Sequence, residues 1–599
     1  MGRQSGGAHR CDAGEAALRL ILLSRYFHTL RHLRPVQVYG RLWFRLYRPR
    51  PDLRPAPPLR AGAGPWIAPP AGEPRLLDPA TFRCLNQTHT LVKATDWNRP
   101  DWDKLWLYNL HYFDDLNAEN AAERRDWQHA LIARWIAENP PGHGNGWEPY
   151  PLSLRVVNWI QWARAGNILE PAWIHSLAIQ VRYLARRLER HLLGNHLFAN
   201  AKALVHAGLF FAGPEAERWL RTGLRLLGRE LPEQILGDGG HFERSPMYHA
   251  IILKDVLDLL NLAAFANLAP AGGRGEQSAS PPWLRRGGAQ RRGGSMPLAD
   301  WRRVAQTMLD WLKVMTHPDG EIAFFNDAAF GIAPTLAQLA DYAGRLGVPS
   351  SPIPHPQPLS QQERGAKTLS PHARLPDSGY IRLQAGPAVL ILDAGPIGPD
   401  YLPGHAHADT LSFELSLFGQ RVIVNSGTSC YGTSPERQRQ RGTAAHNTVA
   451  VDGQDSSEVW SGFRVARRAR PLNLRWGEAA DGGWVECAHD GYQRLPGRAT
   501  HWRRWTLNPT GLRLEDRLDG RYREAVARLH FHPAVRAGLD NAMKGWLELP
   551  DGQRPRWNIE GGCARLIPST WHPHFGASEA NVRLEISFNG PEAKLLIQW

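Results

Sequence analysis

Two short phrases, Gly-His-Ala-His-Ala-Asp at 404–409 and Ala-His-Asn-Thr-Val-Ala-Val-Asp-Gly at 445–453, put three histidines into a strand-patterned stretch. Imidazole changes charge near neutral pH and is a common metal ligand, so such a cluster points to proton transfer or metal binding. His405 and His407 are two residues apart and can share one side of an extended segment. Asn425 ends the next strand pattern and His446 begins another, so neighbouring strands can gather them. Two imidazoles and an oxygen suit zinc, although a ligand set without carboxylate or thiolate is weak; a neutral hydrogen-bonded cluster is the alternative.

A second group lies nearer the N-terminus. Asn195 and His196 follow Leu-Leu-Gly, and Gly194 reads as the terminator of the preceding helix, which places both side chains at a helix junction, as site residues or as simple caps. In His-Phe-Glu-Arg-Ser-Pro-Met-Tyr-His at 241–249, Ser245 and Pro246 read as an N-cap and first-turn proline. Arg244 beside Tyr248 would stabilise a phenolate, lowering its pKa from about 10 and making Tyr248 a base. The stretches 106–116 and 146–155 interleave aromatic rings with hydrogen-bonding groups, the composition of a sugar-stacking face and equally of a helix-packing core. Tyr108, Asn109, His111 and Trp147 from these, with Glu243, Arg244 and His249, form the candidate carbohydrate-binding set.

The elements that must position these groups change period along the chain. From about 126 to 347 the pattern is helical: Ile174, Leu177, Val181, Leu184 and Leu188 are spaced three or four apart, and similar segments cover 152–165, 196–211, 215–229, 249–265, 301–316 and 335–346. Short breaks between them favour antiparallel pairs. After about 378 the period is two. Leu411, Phe413, Leu415 and Leu417 alternate with polar residues, and 502–518 reads as two strands around Asn-Pro-Thr-Gly. Helices first and strands second predict an α+β multidomain chain, not an alternating α/β fold. The division is a helical domain over 1–355 with a flexible insertion near 271–297, a linker or insertion over 356–376, and a β domain over 377–599. The Gly/Arg/Ser-rich insertion carries the basic cluster 285–292, which reads as a solvated loop rather than a nucleic-acid patch.

At 599 residues and 43% apolar composition, the chain has ample material for more than one core, and no stretch is apolar enough for a membrane span. Five scattered cysteines without paired spacing argue against a disulfide framework and a thiolate zinc site. The net charge of +14 attracts polyanions without choosing among them; no nucleic-acid-binding motif accompanies it, so no specific nucleic-acid partner is expected. The apolar run at 20–23 is too short for a secretory signal core.

The ordered set of Gly-Asn-His at 194–196, Glu-Arg-Ser-Pro-Met-Tyr-His at 243–249, Phe-Asn-Asp-Ala-Ala at 325–329 and the two histidine phrases resembles the heparinase II/III-like family over nearly the whole chain. The opening segment 26–49 resembles a branch associated with bacterial surface-polysaccharide gene clusters. The resemblance implies an N-terminal incomplete (α/α) toroid followed by an antiparallel β-sandwich domain. It implies a polysaccharide lyase that cleaves anionic, uronic-acid-containing polysaccharide by β-elimination, with Asn195, His196 and His405 neutralising the uronate and Tyr248 transferring protons. It implies a structural zinc at His407, Asn425 and His446; zinc-binding relatives carry aspartate where Asn425 stands, and Asp409 is the carboxylate that would substitute. A cell-envelope or periplasmic location follows from the resemblance, a cytoplasmic one from the weak N-terminal signal. The alternative function is a non-catalytic glycan-binding or polysaccharide-assembly protein that keeps the lyase fold.

Overall fold

The computed structural model describes residues 8–62, 64–266, 298–349, 372–479 and 481–599. The insertion expected at 271–297, its basic cluster, and the linker as far as 371 lie outside the described residues.

The helical periodicity becomes a succession of helices: Pro149–Arg164, Pro171–Arg186, Gly194–Phe210, Pro214–Gln234, Pro246–Phe265, Leu298–Val314 and Leu336–Arg345. Four of them carry proline in the first turn, where its missing N–H and fixed φ cost nothing. Ser245 caps Pro246–Phe265 by accepting from the Tyr248 N–H, as the sequence predicts. One boundary differs. The helix carrying Ile174 ends at Arg186, and Gly194 opens the next helix instead of closing this one. Tertiary contacts break the local period: Asn200 accepts from the Glu189 N–H at 2.8 Å and donates to its carboxylate at 3.1 Å, and the chain turns through left-handed Leu193 and Gly194. Asn195 and His196 therefore sit in a helix's first turn.

The C-terminal half is antiparallel throughout its three larger sheets. Ala373–Leu375, Tyr380–Ala385, Ala388–Asp393, Phe413–Leu417 and Gln420–Ile423 pair in chain order as a five-stranded sheet. An eight-stranded sheet contains the hairpin Thr500–Asn508/Gly511–Asp519, closed by Pro509 and Thr510 as expected. A four-stranded sheet joins Gly562–Trp571, Glu579–Phe588, Ala525–His530 and Val449–Val451.

The period of two decides the layering. In Ala388–Asp393, Val389 and Ile391 pack into the large core shared with the helices, whereas Ala388, Leu390 and Leu392 pack into the core within the sandwich. The five-stranded sheet is thus a middle layer, covered on both faces. That corrects one expectation: Phe413–Leu417 alternates apolar and polar, yet all five residues are buried. Glu414 is fully covered because it accepts from the N–H groups of Asn425 and Phe324 at 2.7 and 3.1 Å and faces His317 at 3.0 Å. Among the described residues no helix is long and apolar enough to cross a membrane.

Candidate active site at the domain junction

The site is organised around Asp327, in the tight Phe-Asn-Asp-Ala-Ala loop. Left-handed Asn326 is held on three sides, its N–H by Asp409 at 2.9 Å, its side-chain oxygen by the His407 N–H and its amide by the Arg244 carbonyl. This turns the fully buried Asp327 carboxylate toward the β domain, where one oxygen meets His407 Nε2 at 2.8 Å and the other His405 Nδ1 at 2.8 Å. The Arg437 guanidinium grips both oxygens. Burial alone would raise the Asp327 pKa; Arg437, followed by the two histidine hydrogen bonds, holds it well below the usual carboxylate value. An anion at His405 Nδ1 fixes the proton there and turns Nε2 away from Asp327.

Tyr248 lies on that imidazole. Its ring stacks against His405 at 3.8 Å, and its hydroxyl meets the Tyr431 hydroxyl at 2.8 Å. Arg437 lies 4.9 Å from the Tyr431 ring centre. Burial, then neighbouring Tyr431 and Asp327, pushes the Tyr248 pKa well above 10, so its resting form is the phenol. The expected phenolate next to Arg244 is not formed. Arg244 instead donates to the carbonyls of Ser378, Pro396 and Asp377 at 2.9, 3.0 and 3.1 Å, because a buried guanidinium saturates its donors with the nearest acceptors. It pins the helical half to the first strands of the β half.

His196, about one-third exposed, faces the same region from the helical side. Its Nδ1 lies 3.1 Å from Glu189, and its ring packs 4.4 Å from Tyr150. Burial would lower its pKa, but the charge and hydrogen bond of Glu189 outweigh that and raise it. Such a group contributes to folding fully below its ordinary value of 6.5, and that contribution fades as pH rises through the elevated value. Glu189→Gln should therefore move the His196 titration to lower pH, read by imidazole NMR. An unmoved titration would exclude Glu189 as the cause.

Glu243 sits between the two halves, 3.6 Å from His405 Nε2. Both its oxygens are buried outside normal hydrogen-bond geometry, although the Asn195 backbone N–H is near enough to stabilise the anion. Burial raises its pKa against the opposing charges of His405 and His196. Asn195 is buried in the same helix turn.

The remaining expected residues divide. Tyr108 donates to Glu148, and Lys104 packs on its ring; Asn109 donates to the Leu105 carbonyl at 2.9 Å within its own helix. His111 is fully buried between the Trp97 carbonyl and the Trp135 indole N–H, each at 3.0 Å, and burial brings its pKa down to about 3. Trp147 is core, stacked on Trp135. His249 is buried on Trp311 and bonded to the Met308 carbonyl at 2.9 Å. His111, Trp147, Arg244 and His249 thus build the scaffold rather than a carbohydrate face. Each satisfies its polar atoms inside the protein, as burial demands. Asp327, Tyr431 and Arg437 were missing from the expected site. The first lies within a phrase that the resemblance singled out; the other two carry no local pattern.

The expected metal ligands do come together, as a hydrogen-bonded chain. His407 Nδ1 is 3.2 Å from His446 Nε2, and His446 Nδ1 is 3.2 Å from the Asn425 side-chain oxygen. Both nitrogens of each ring are engaged, and Asn425 also donates to the Phe324 carbonyl at 2.8 Å. Asp409 takes the Asn326 N–H instead of joining the imidazoles. Among the described residues no three His, Cys, Asp or Glu side chains gather to hold a metal ion. The donor set does not fit zinc, which favours anionic ligands at a closed tetrahedral site. Asn425→Asp should raise the zinc content of purified protein above that of the parent, measured by elemental analysis; equal content would exclude the amide as the barrier.

Residues 109–271 match the family described as heparinase II/III N-terminus, and 367–599 match heparinase II/III-like, C-terminal. The chain is 26% identical over 526 residues to FtsZ-localized protein C of Caulobacter vibrioides, covering 82% of this chain and 80% of that one. It is 23% identical over 351 residues to the heparin-sulfate lyase of Pedobacter heparinus, covering 55% of this chain and 48% of the lyase. The crystal structure of heparinase III superposes with a TM-score of 0.64 at 19% identity, covering 84% and 79% of the two chains. The fold is that of an α toroid joined to antiparallel β-sandwich domains.

Proposed function

The chain belongs to the heparinase II/III-like family, and on that premise we propose that it is a polysaccharide lyase acting on an anionic, uronic-acid-containing polymer by β-elimination. The observation that carries this reading is the Tyr248 ring stacked on a His405 whose orientation is fixed by buried Asp327.

The carbon-5 hydrogen of a uronate becomes removable only when the adjacent carboxylate is neutralised, because negative charge grows there as the carbon–hydrogen bond breaks. His196, whose pKa is raised, and His405 supply that neutralisation, with Asn195 as a hydrogen-bond donor. Glu243, shifted toward its neutral acid, can add a donor without repelling the substrate. The electron pair of the carbon-5 bond forms the carbon-4 to carbon-5 double bond, and the carbon-4 glycosidic oxygen leaves with a proton. The Tyr248 phenol supplies that proton. Where the two bonds lie on the same face of the sugar, Tyr248 also takes the carbon-5 proton; where they lie on opposite faces, His196 takes it in its neutral form, and neutralisation then falls to His405 and Asn195.

Incubation with a panel of uronate polymers should produce the ultraviolet absorbance of a conjugated unsaturated acid. Silence across heparan sulfate, alginate and the organism's own surface glycan would sink the reading. A second reading is favoured by one observation: the relative aligned over four-fifths of its length is named for localisation with FtsZ, not for a lyase activity. A glycan-binding or polysaccharide-assembly protein on this fold would bind the polymer equally well with Tyr248→Phe and cleave it in neither form.

A further inference from the structure

The first two helices, Ala8–Leu30 and Pro35–Leu46, invert the usual arrangement of an amphipathic helix. Their polar and mixed faces are turned to the protein. Thr29 donates to the Val465 carbonyl at 3.3 Å and accepts from the Trp460 indole at 3.2 Å, and Tyr26 packs edge-on against Trp460. Gln37 donates to the Tyr401 carbonyl at 2.9 Å, Arg34 pairs with Glu233, and Phe44 packs on His191. The hairpin is thereby fastened to both halves of the molecule.

The apolar stripes point outward instead. Leu20, Leu23, Phe27 and Leu30 recur at helical spacing on the first helix, and Val38, Leu42 and Leu46 on the second, with Trp43 beside them. Leu23, Leu42, Trp43 and Leu46 are 64, 60, 61 and 73% exposed. Large apolar side chains this exposed on two consecutive helices mark an interaction face. The charge of the segment is one-sided: Arg19, Arg31, Arg41, Arg45, Arg48 and Arg50 are exposed, and no acidic residue lies between Glu15 and Asp52.

We propose that this hairpin docks the protein onto the surface of an anionic phospholipid bilayer, lying in the interface rather than spanning it. Leucine and tryptophan side chains enter the acyl boundary while long arginine side chains reach lipid phosphates at the same depth. Tryptophan and tyrosine, such as Trp43 and Tyr39, suit the headgroup level. An anionic polysaccharide would match the arginines and leave the leucines uncovered. A second copy would match the leucines, but a two-fold contact sets the same patch against itself and faces arginine with arginine. Only an anionic amphiphile complements both features. The closing turn at Pro35 and the interspersed arginines keep either helix from crossing the hydrocarbon.

The test is flotation of the full chain with vesicles of phosphatidylcholine alone or with about one-third phosphatidylglycerol. The protein should float with the anionic vesicles, more weakly with neutral ones, and less as salt is raised. The triple variant Leu23→Glu/Leu42→Glu/Trp43→Glu should lose at least about tenfold in partitioning with unchanged melting temperature, since these side chains stand clear of the core. A second variant, Arg41→Gln/Arg45→Gln/Arg48→Gln, should lose the preference for anionic vesicles and keep the weak neutral binding. Absence of flotation, or flotation unaffected by the triple variant, overturns the proposal. So does concentration-dependent dimerisation, abolished by the triple variant, in a protein that binds no vesicle.

Discussion

Tyr248→Phe should lower the turnover of a cleaved uronate polymer by about 10²–10⁴-fold, the range typical of removing a positioned proton donor or acceptor. The substitution keeps the ring that stacks on His405 at 3.8 Å and removes only the hydroxyl, whose partner is the Tyr431 hydroxyl at 2.8 Å. The packing cost is correspondingly small, and polymer binding should persist. Steady-state kinetics with a parallel binding measurement separates the two effects. A variant that cleaves at more than about a tenth of the parent rate would remove Tyr248 from the chemistry and shift attention to His196. Tyr431→Phe is the matched control: it removes the same hydrogen bond but leaves the Tyr248 hydroxyl, so a much smaller loss is expected.

Asp327→Asn should be the most damaging single change to stability at the site, about 3–5 kcal/mol by denaturant unfolding. The amide keeps the shape and loses the charge. Arg437, itself fully buried, is then left uncompensated, while His405 and His407 lose the acceptor that fixes their protons. Activity should fall with stability because His405 is no longer held against Tyr248. The contribution also has a pH signature. The Asp327 pKa is depressed in the folded protein, so its stabilisation is complete above 3.8, its ordinary value, and is lost as pH falls through the folded value. The variant should lack this acid-sensitive component. Replacing Arg437 as well, in Asp327→Asn/Arg437→Met, should cost less than the two single changes together, since the second removes the stranded charge that the first creates. Strict additivity would show that the pair does not act as a unit.

The part of the site that could be read from sequence was the part encoded locally. Ser245, Pro246 and Tyr248 fall within one helix turn, and the cap bond from Ser245 to the Tyr248 N–H follows from residue types three apart. His405 and His407 were expected to share a side, and they do converge, on the two oxygens of Asp327 rather than on a strand face. Aromatic spacing misled at His111 and Trp147, where the same composition serves a core. A tryptophan-rich stretch says that rings will be buried, not what will cover them. Arg437 shows the converse. It stands in Pro-Glu-Arg-Gln-Arg-Gln-Arg, where every residue after the proline is polar, yet its side chain is completely buried because an aspartate 110 residues earlier in the chain meets it.

Sequence alone determined the class of fold, since a period of 3.6 followed by a period of two fixes which faces are apolar and hence helices first, sheets second. It also determined the Ser245 cap, the 509–510 turn and the identity of the imidazoles. Only the tertiary structure decided which polar groups became a site. Asp327, Tyr248, His405 and the Tyr431/Arg437 segment come from separate stretches of the two halves, and the contacts that join them are all long-range. Their protonation states follow from burial and mutual charge, and those are properties of the packed junction that no stretch of sequence carries by itself.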